Sequence, residues 1–243
     1  SAVILIILLG GWLVAPTIAD RSINGLNEHS PYTVSAEAQA LHDSLIVGDW
    51  HADSTLWNRD LSDRHDYGHI DIPRLQAGNV ALQMFTTVTK SPSGLNYDQN
   101  DTDASDDITM LAYVQRWPSE TYNNLTERAK YQAHKLHSLA KQNADFTLVT
   151  SQHELALFLH ARQSNPKLVG GLIGTEGSHA LEGELDNIDA LYDLGFRMMS
   201  LQHFFDNRLG GSLHGVSQAG LTSFGRDAVL RMVQKNIIID LSH

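Results

Sequence analysis

The sequence contains no cysteine among its 243 residues, which excludes disulfides, thiolate metal sites and cysteine nucleophiles. Basic residues are few, because 17 Lys and Arg stand against 28 Asp and Glu, and the formal net charge is −11. Nucleic acids and anionic membrane surfaces bind basic faces, so neither is an expected partner. No phosphate-binding glycine fingerprint follows the first predicted strand, which argues against a dinucleotide-binding fold. Any metal chemistry must therefore use nitrogen and oxygen ligands.

The first 19 residues carry no charge and are mostly apolar. Thr17 and Ala19 place small residues at the −3 and −1 positions of a plausible cleavage site. The pattern predicts a signal peptide or an uncleaved membrane anchor over residues 1–19, with a buried core helix as the alternative. We therefore expect a secreted, periplasmic or membrane-anchored protein on the extracytoplasmic side, with any membrane association made through residues 1–19. Residues 20–243 are expected to form the folded portion.

Five short segments have the composition of buried parallel strands, apolar on both faces or nearly so. They are Leu45–Asp49, Val80–Thr87, Leu168–Gly174, Arg197–Gln202 and Ile237–Leu241. Helical patterns lie between them, including an apolar face from Leu125 to Ala140 and a capping box that begins at Ser151. Gly195 can end a further helix. Alternating strands and helices predict an α/β fold, either an open doubly wound sheet or part of an eight-fold barrel.

An acidic stretch, NYDQNDTDASDDIT, lies between the second and third predicted strands. A calcium loop is one interpretation, but the glycine and closing glutamate of an EF-hand are missing. We expect a solvated, mobile acidic loop instead.

Polar side chains follow four of the five predicted strands. His51 and Asp53 follow the first strand, Glu176 the third, His203 the fourth and His243 the fifth. Active sites of α/β barrels are assembled at the C-terminal ends of the parallel strands. Each signal is weak alone, but their coincidence at four strand ends predicts one shared site.

The residue types at these positions suit a metal site. His51 and Asp53 lie two apart, so both side chains point to one side of an extended chain and can bind one ion. Glu176 offers two oxygens that could bridge two ions, and His243 could serve the second. Imidazole and carboxylate ligands suit zinc, with manganese or cobalt as substitutes. His179, three residues after Glu176, is not expected to have a direct role.

Six stretches, in order, resemble the membrane dipeptidases, also called renal dipeptidases, which are zinc enzymes with a barrel related to the amidohydrolases. The resemblance covers roughly residues 45–243, apart from the central insertion. The matching stretches are GDWHADS, HIDIPRLQAGNVALQMFT, GLIGTEGSHAL, LYDLGFRMMSLQHFFDN, GLTSFGRDAVLRM and IIIDLSH.

The resemblance implies a role for each strand-end residue. His51 and Asp53 would bind a first Zn²⁺, Glu176 would bridge two ions, and His243 would bind the second. His203 would contact the substrate and the tetrahedral intermediate, which makes Glu176 and His203 the expected catalytic residues. The implied reaction is hydrolysis of a dipeptide by a metal-bridged hydroxide, with tolerance of a D-residue on the C-terminal side. The sequence does not decide whether the chain forms a homodimer.

The family pattern continues beyond the part that matches this chain. It has a further metal-binding histidine, an arginine for the substrate carboxylate and an aspartate that handles protons. We therefore expect a partial TIM-like (β/α)8 barrel with about five of eight strands, an incomplete second zinc site and little or no activity. Two alternatives stay open: another amidohydrolase-like enzyme, acting on a lactone, an N-acyl amino acid or a phosphoester, and a non-catalytic barrel that only binds.

Overall fold

A computed structural model describes residues 2–243, and of residues 2, 3 and 5–9 it describes the backbone alone. Strands and helices alternate along most of this range. The strands are β1 Val47–Asp49, β2 Val80–Val88, β3 Phe146–Leu148, β4 Val169–Glu176, β5 Phe196–Ser200 and β6 Ile238–Asp240. The helices are α1 Ala2–Ile23, α2 Ala36–Ser44, α3 Ile72–Ala77, α4 Asp107–Val114, α5 Leu125–Gln142, α6 Gln152–Ser164, α7 Asp186–Asp193 and α8 Ser223–Gln234.

The strands form one parallel sheet in the order β1-β2-β4-β5-β6, with β3 paired to the start of β4. The sheet curls into half of a barrel, consistent with the predicted partial TIM-like fold. The five strands along the main path correspond to the five that the sequence predicts. Because every strand runs in the same direction, all the strand ends that carry polar residues meet at one edge of the sheet.

The sequence prediction missed β3, and it overstated the burial of the outer strands. β3 has only three residues, of which Phe146 is buried and Thr147 is exposed, so no apolar run marks it. In β6, Ile238 is 48% exposed. β1 and β6 lie at the two ends of the described strand order, where each pairs with a single neighbour.

Local capping signals account for the helix boundaries. The Asn124 side chain accepts a hydrogen bond from the Glu127 amide at the start of α5, and Ser151 does the same for Glu154 at the start of α6. After α7, Gly195 has φ +98°, a conformation that disfavours residues with a Cβ. These starts and stops confirm the helices predicted from the sequence.

The core lies between the sheet and the helices packed on it, among them α3, α5, α7 and α8. Leu136 of α5 is fully buried in the same apolar cluster as Phe85, Phe146 and Ile173. Gly171 in β4 lets the Phe146 ring lie directly on the sheet, since a Cβ at this position would collide with that ring. This packing holds α5 behind the strand ends that form the candidate site.

The N-terminal helix α1 packs against the domain through its last turns. Asp20 is buried and forms an ion pair with Arg59 at 2.8 Å, and the Pro16 carbonyl accepts a hydrogen bond from Gln115. Among the residues described, no helix is both long and apolar enough to cross a membrane. The signal peptide or membrane anchor predicted for residues 1–19 lies in part outside the described residues, because residue 1 and the side chains of residues 2, 3 and 5–9 are not described.

The acidic stretch is not uniformly solvated. Asp101 and Asp103 are exposed, but Asp106 caps α4 and pairs with Arg128 of α5, whose side chain is only 1% exposed. The Arg128 guanidinium also donates to three carbonyl groups and one hydroxyl: those of Thr89, Thr121, Tyr122 and Thr109. A single buried arginine thus ties the acidic stretch to the end of β2 and to α5.

We predict that Arg128→Met lowers the free energy of unfolding by about 3–5 kcal/mol, because it leaves the Asp106 carboxylate without its buried partner. Urea denaturation measures this change. The matched control is Lys130→Met on the same helix, which removes a partly exposed pair with Glu127 and should cost less than about 1 kcal/mol. Equal losses in the two variants would contradict the assignment.

The effect of Arg128→Met should also depend on pH. Burial alone would raise the pKa of Asp106, but hydrogen bonds from Arg128, the Ser91 amide and Thr109 hold it below its ordinary value of 3.8. A carboxyl group with a lowered pKa stabilises the fold fully above its unfolded-state pKa, and this stability is lost as the pH falls through the folded-state pKa. The difference between wild type and Arg128→Met should therefore shrink below about pH 3.8.

Candidate metal centre

The side chains at the strand ends converge on one carboxylate oxygen. His51 Nε2 lies 3.4 Å from Glu176 Oε1 and 3.3 Å from Asp53 Oδ2. His203 Nε2 and His243 Nε2 lie 3.6 Å and 3.5 Å from the same Glu176 oxygen. The structure thus brings together all five residues that the sequence singled out, although they lie up to 192 positions apart (243 − 51).

These residues fall into two groups that could each hold a metal ion. One group contains His51, Asp53 and Glu176, and the other contains Glu176, His203 and His243. Within each group, one potential ligand atom from every residue lies within 4.8 Å of the others. Glu176 belongs to both groups, so its carboxylate is placed to serve two ions. His203, predicted from the resemblance to contact substrate, lies among the potential ligands of the second group.

Thr86 in β2 fixes the segment that carries His51 and Asp53. Its amide donates to the Ala52 carbonyl at 3.0 Å, and its hydroxyl donates to Asp53 Oδ1 at 2.5 Å. The other oxygen of Asp53 is left facing His51. Hydrogen bonds to a ligand carboxylate of this kind orient it toward the metal. The sequence analysis missed Thr86, because a threonine inside an apolar strand has no distinctive pattern.

A glycine allows the segments that follow β4 and β5 to approach each other. Gly177 has φ +75°, and a Cβ there would lie 2.8 Å from His203 Cβ. Glu176 could not come this close to the segment after β5 if a larger residue followed it. The glycine that follows Glu176 therefore has a steric reason.

A backbone carbonyl orients the ring of His203 on the side opposite to Glu176. Its Nδ1 lies 3.3 Å from the Lys90 carbonyl, which can only accept a hydrogen bond. Nδ1 is therefore the protonated nitrogen of the neutral ring, and Nε2 presents its lone pair to Glu176. The His243 ring packs against Phe204 with ring centroids 4.8 Å apart.

The charges of the site favour a bound cation. Hydrogen bonds to Asp53 and Glu176 raise the pKa of His51 to about 10. Burial alone would raise the pKa of Glu176, but the surrounding imidazoles hold it well below its usual range. Burial raises the pKa of Asp53, which His51 and Thr86 oppose, and burial lowers the pKa of His203. The two carboxylates thus stabilise positive charge between them, as a metal ion would supply.

The chemical types of these side chains suit a pair of zinc ions. Three imidazoles and two carboxylates, with no thiolate, are ligands that suit zinc, and manganese or cobalt can take the same set. Metal binding needs these groups deprotonated, so an ion would replace the proton that His51 otherwise holds.

Comparison with known proteins gives the family. Residues 35–243 match the model of the membrane dipeptidases, peptidase family M19. The chain belongs to the membrane dipeptidase family. This match confirms the resemblance drawn from the six sequence stretches.

Individual relatives are distant and longer than this chain. Dipeptidase aclJ of Aspergillus oryzae is 24% identical over 212 residues, which cover 80% of this chain and 44% of that protein. A metallopeptidase from Rhodobacter sphaeroides, solved with a phosphinate mimic of L-Ala-D-Ala, has a TM-score of 0.59 at 21% identity and is matched over 82% of this chain and 59% of that one. The probable dipeptidase PvdM from Pseudomonas aeruginosa has a TM-score of 0.59 at 14% identity, with 85% and 49% covered. These structures support the fold, and the chain spans about half the length of these dipeptidases.

We predict that Thr86→Val weakens zinc binding at the His51–Asp53 site by about 10-fold to 100-fold, because it removes the hydrogen bond that orients Asp53. Titration calorimetry with a competing chelator measures the affinity.

The control is Thr87→Val at the next position, where the buried hydroxyl has no hydrogen-bond partner among the described residues. It should bind zinc as the wild type does, and Thr86→Ser should recover most of the lost affinity. A Thr86→Val protein that binds zinc as tightly as Thr87→Val would refute the role of this hydroxyl.

Proposed function

We propose that this chain forms the metal-binding half of a zinc dipeptidase site. The observation that carries the proposal is the Glu176 carboxylate, shared between two groups of potential ligands at the ends of parallel strands. His51 and Asp53 would hold the first ion with Glu176, and His243 would hold the second with Glu176. Membership of the membrane dipeptidase family supports this assignment of a hydrolase.

When bound, zinc would supply a Lewis acid for the peptide carbonyl and lower the pKa of a bound water. The chain's own residues would prepare the site for this chemistry. Thr86 aims Asp53, Gly177 admits His203 close to Glu176, and the burial of Glu176 and His203 limits access of bulk water.

We propose that His203 contacts the substrate near the scissile carbonyl. Its Nδ1–H is engaged by the Lys90 carbonyl, so the neutral ring offers only a lone pair at Nε2. It can donate a hydrogen bond to a developing oxyanion only as the imidazolium. Burial disfavours that form, whereas Glu176 at 3.6 Å favours it. A protonated His203 during turnover therefore depends on the Glu176 carboxylate.

The proposed substrate is a dipeptide, including dipeptides with a D-residue on the C-terminal side. The support is the family match, together with the L-Ala-D-Ala mimic bound by the structurally similar Rhodobacter metallopeptidase.

Glu176→Gln should reduce zinc binding from two ions per chain to at most one, because the amide offers a single weak ligand oxygen to two ions. It should also abolish binding of the phosphinate mimic of L-Ala-D-Ala to the zinc-loaded protein. Elemental analysis and titration calorimetry measure these two quantities.

Glu184→Gln is the matched control, since this exposed carboxylate lies eight residues further along the chain (184 − 176) and outside both ligand groups. It should bind zinc and the mimic as the wild type does. A wild-type protein that binds no zinc at all would instead favour a non-catalytic barrel and end the proposal.

A further inference from the structure

A cavity of about 500 Å³ lies next to the metal centre and is not used by the chemistry proposed above. Ser178 and His179, which follow Glu176 and Gly177 in the chain, form part of its wall. Lys90, whose carbonyl orients His203, forms another part, and Arg208 lies on the lining as well. We call this cavity the Lys90–Arg208 pocket. Its volume is within the range of pockets that bind small molecules.

His179 brings unsatisfied hydrogen-bonding groups to this pocket. The residue is only 8% exposed, and neither ring nitrogen has a hydrogen-bond partner among the described residues. The ring stacks on Phe205 with centroids 4.7 Å apart, so packing fixes its plane. Burial lowers the pKa of His179 to about 3, which leaves a neutral imidazole with one N–H donor. A buried polar group without a partner destabilises the fold, so a ligand that accepts its hydrogen bond is held more tightly.

Two cations of the pocket lack an acidic partner. Within the described range, neither Lys90 nor Arg208 has a carboxylate oxygen within ion-pair distance. Lys90 Nζ lies 4.8 Å from the centroid of the Phe205 ring, and the Arg208 guanidinium packs over Gly183, which has no side chain to displace it. Arg59, Arg128 and Arg231, by contrast, form ion pairs with carboxylates. Both cations are therefore free of ion pairs within the part of the chain that the structure describes, while Glu182 and Asp206 balance their formal charge within the lining.

The two carboxylates that line the pocket are already engaged elsewhere. Glu182 accepts hydrogen bonds from the amide and the hydroxyl of Thr126 at 3.1 and 2.9 Å. Asp206 accepts from the amides of Ser212 and Ser217 at 2.8 and 2.9 Å. The groups that remain free to meet a ligand are thus mainly donors: an ammonium, a guanidinium and an imidazole N–H.

We propose that the Lys90–Arg208 pocket binds a small oxyanion, a carboxylate or a phosphate, between Lys90, His179 and Arg208. The ligand supplies hydrogen-bond acceptors for the two cations, which form no ion pair, and for the His179 N–H, which has no partner among the described residues. Guanidinium groups bind carboxylate and phosphate through paired hydrogen bonds, which suits either source of the anion. The Lys90 carbonyl also orients His203. Lys90 is therefore the residue that connects the proposed anion site to the metal centre.

The test is titration calorimetry of the 243-residue chain, at low ionic strength, with inorganic phosphate in one arm and acetate in the other. The protein is stripped of metal first, because both anions also bind zinc and would mask the pocket. We expect one anion to bind per chain. Tighter binding of phosphate would identify a phosphate site, and tighter binding of acetate would identify a carboxylate site.

Arg208→Gln and His179→Leu should each weaken this binding about tenfold or more, as expected for the loss of a charge-assisted or buried hydrogen bond. Arg226→Gln is the matched control, because it removes an exposed positive charge of α8 outside the pocket lining. It should leave the affinity unchanged.

The proposal is overturned if neither anion binds the wild type more tightly than about 10 mM. It is also overturned if Arg208→Gln and Arg226→Gln bind alike, since the anion would then be attracted only by general positive charge. Circular dichroism checks that each variant folds. If His179→Leu fails to fold, Arg208→Gln alone tests the proposal, because Arg208 is exposed and its substitution should not disturb the fold. A failure here leaves the zinc proposal untouched, since no metal is present in the assay.

Discussion

The arrangement of this site depends on one carboxylate. Glu176 is largely buried at the end of β4, and three imidazole nitrogens surround one of its oxygens at 3.4 to 3.6 Å. A buried carboxylate is stable only when positive charge compensates it. In this chain the compensation comes from histidines on three other segments, and a pair of metal ions would provide it more fully. The shared oxygen is therefore both a constraint on the fold and the basis of the function.

Other parts of the structure position the residues that surround Glu176. Parallel pairing delivers every strand end to one edge of the sheet, and the tight contact of Phe146 with Gly171 keeps α5 close behind it. Thr86 and the Lys90 carbonyl then set the direction of individual side chains. The Arg128 cluster holds the chain between β2 and α5, so the segment that contains Lys90 is anchored at both ends. The Lys90–Arg208 pocket lies beside this framework.

Much of the architecture could be predicted from the sequence because its signals are local. Apolar runs marked the five strands of the main path, and caps such as Ser151 marked the helices. The polar residues after the strands could be grouped because parallel topology decides where strand ends meet. β3 was too short to leave a pattern, and Thr86 and Arg128 act through partners 33 and 22 residues away, which no local pattern shows. The pocket next to His179 depends on which buried groups lack partners, and only coordinates reveal that.

The most direct test of this account is a crystal structure of the protein soaked in zinc, with anomalous scattering used to locate the ions. The account predicts two peaks about 3.5–4 Å apart, each within about 2.2 Å of the Glu176 carboxylate. His51 and Asp53 should bind one ion, and His243 should bind the other. A single peak, or peaks that do not contact Glu176, would contradict the shared carboxylate on which the whole interpretation rests.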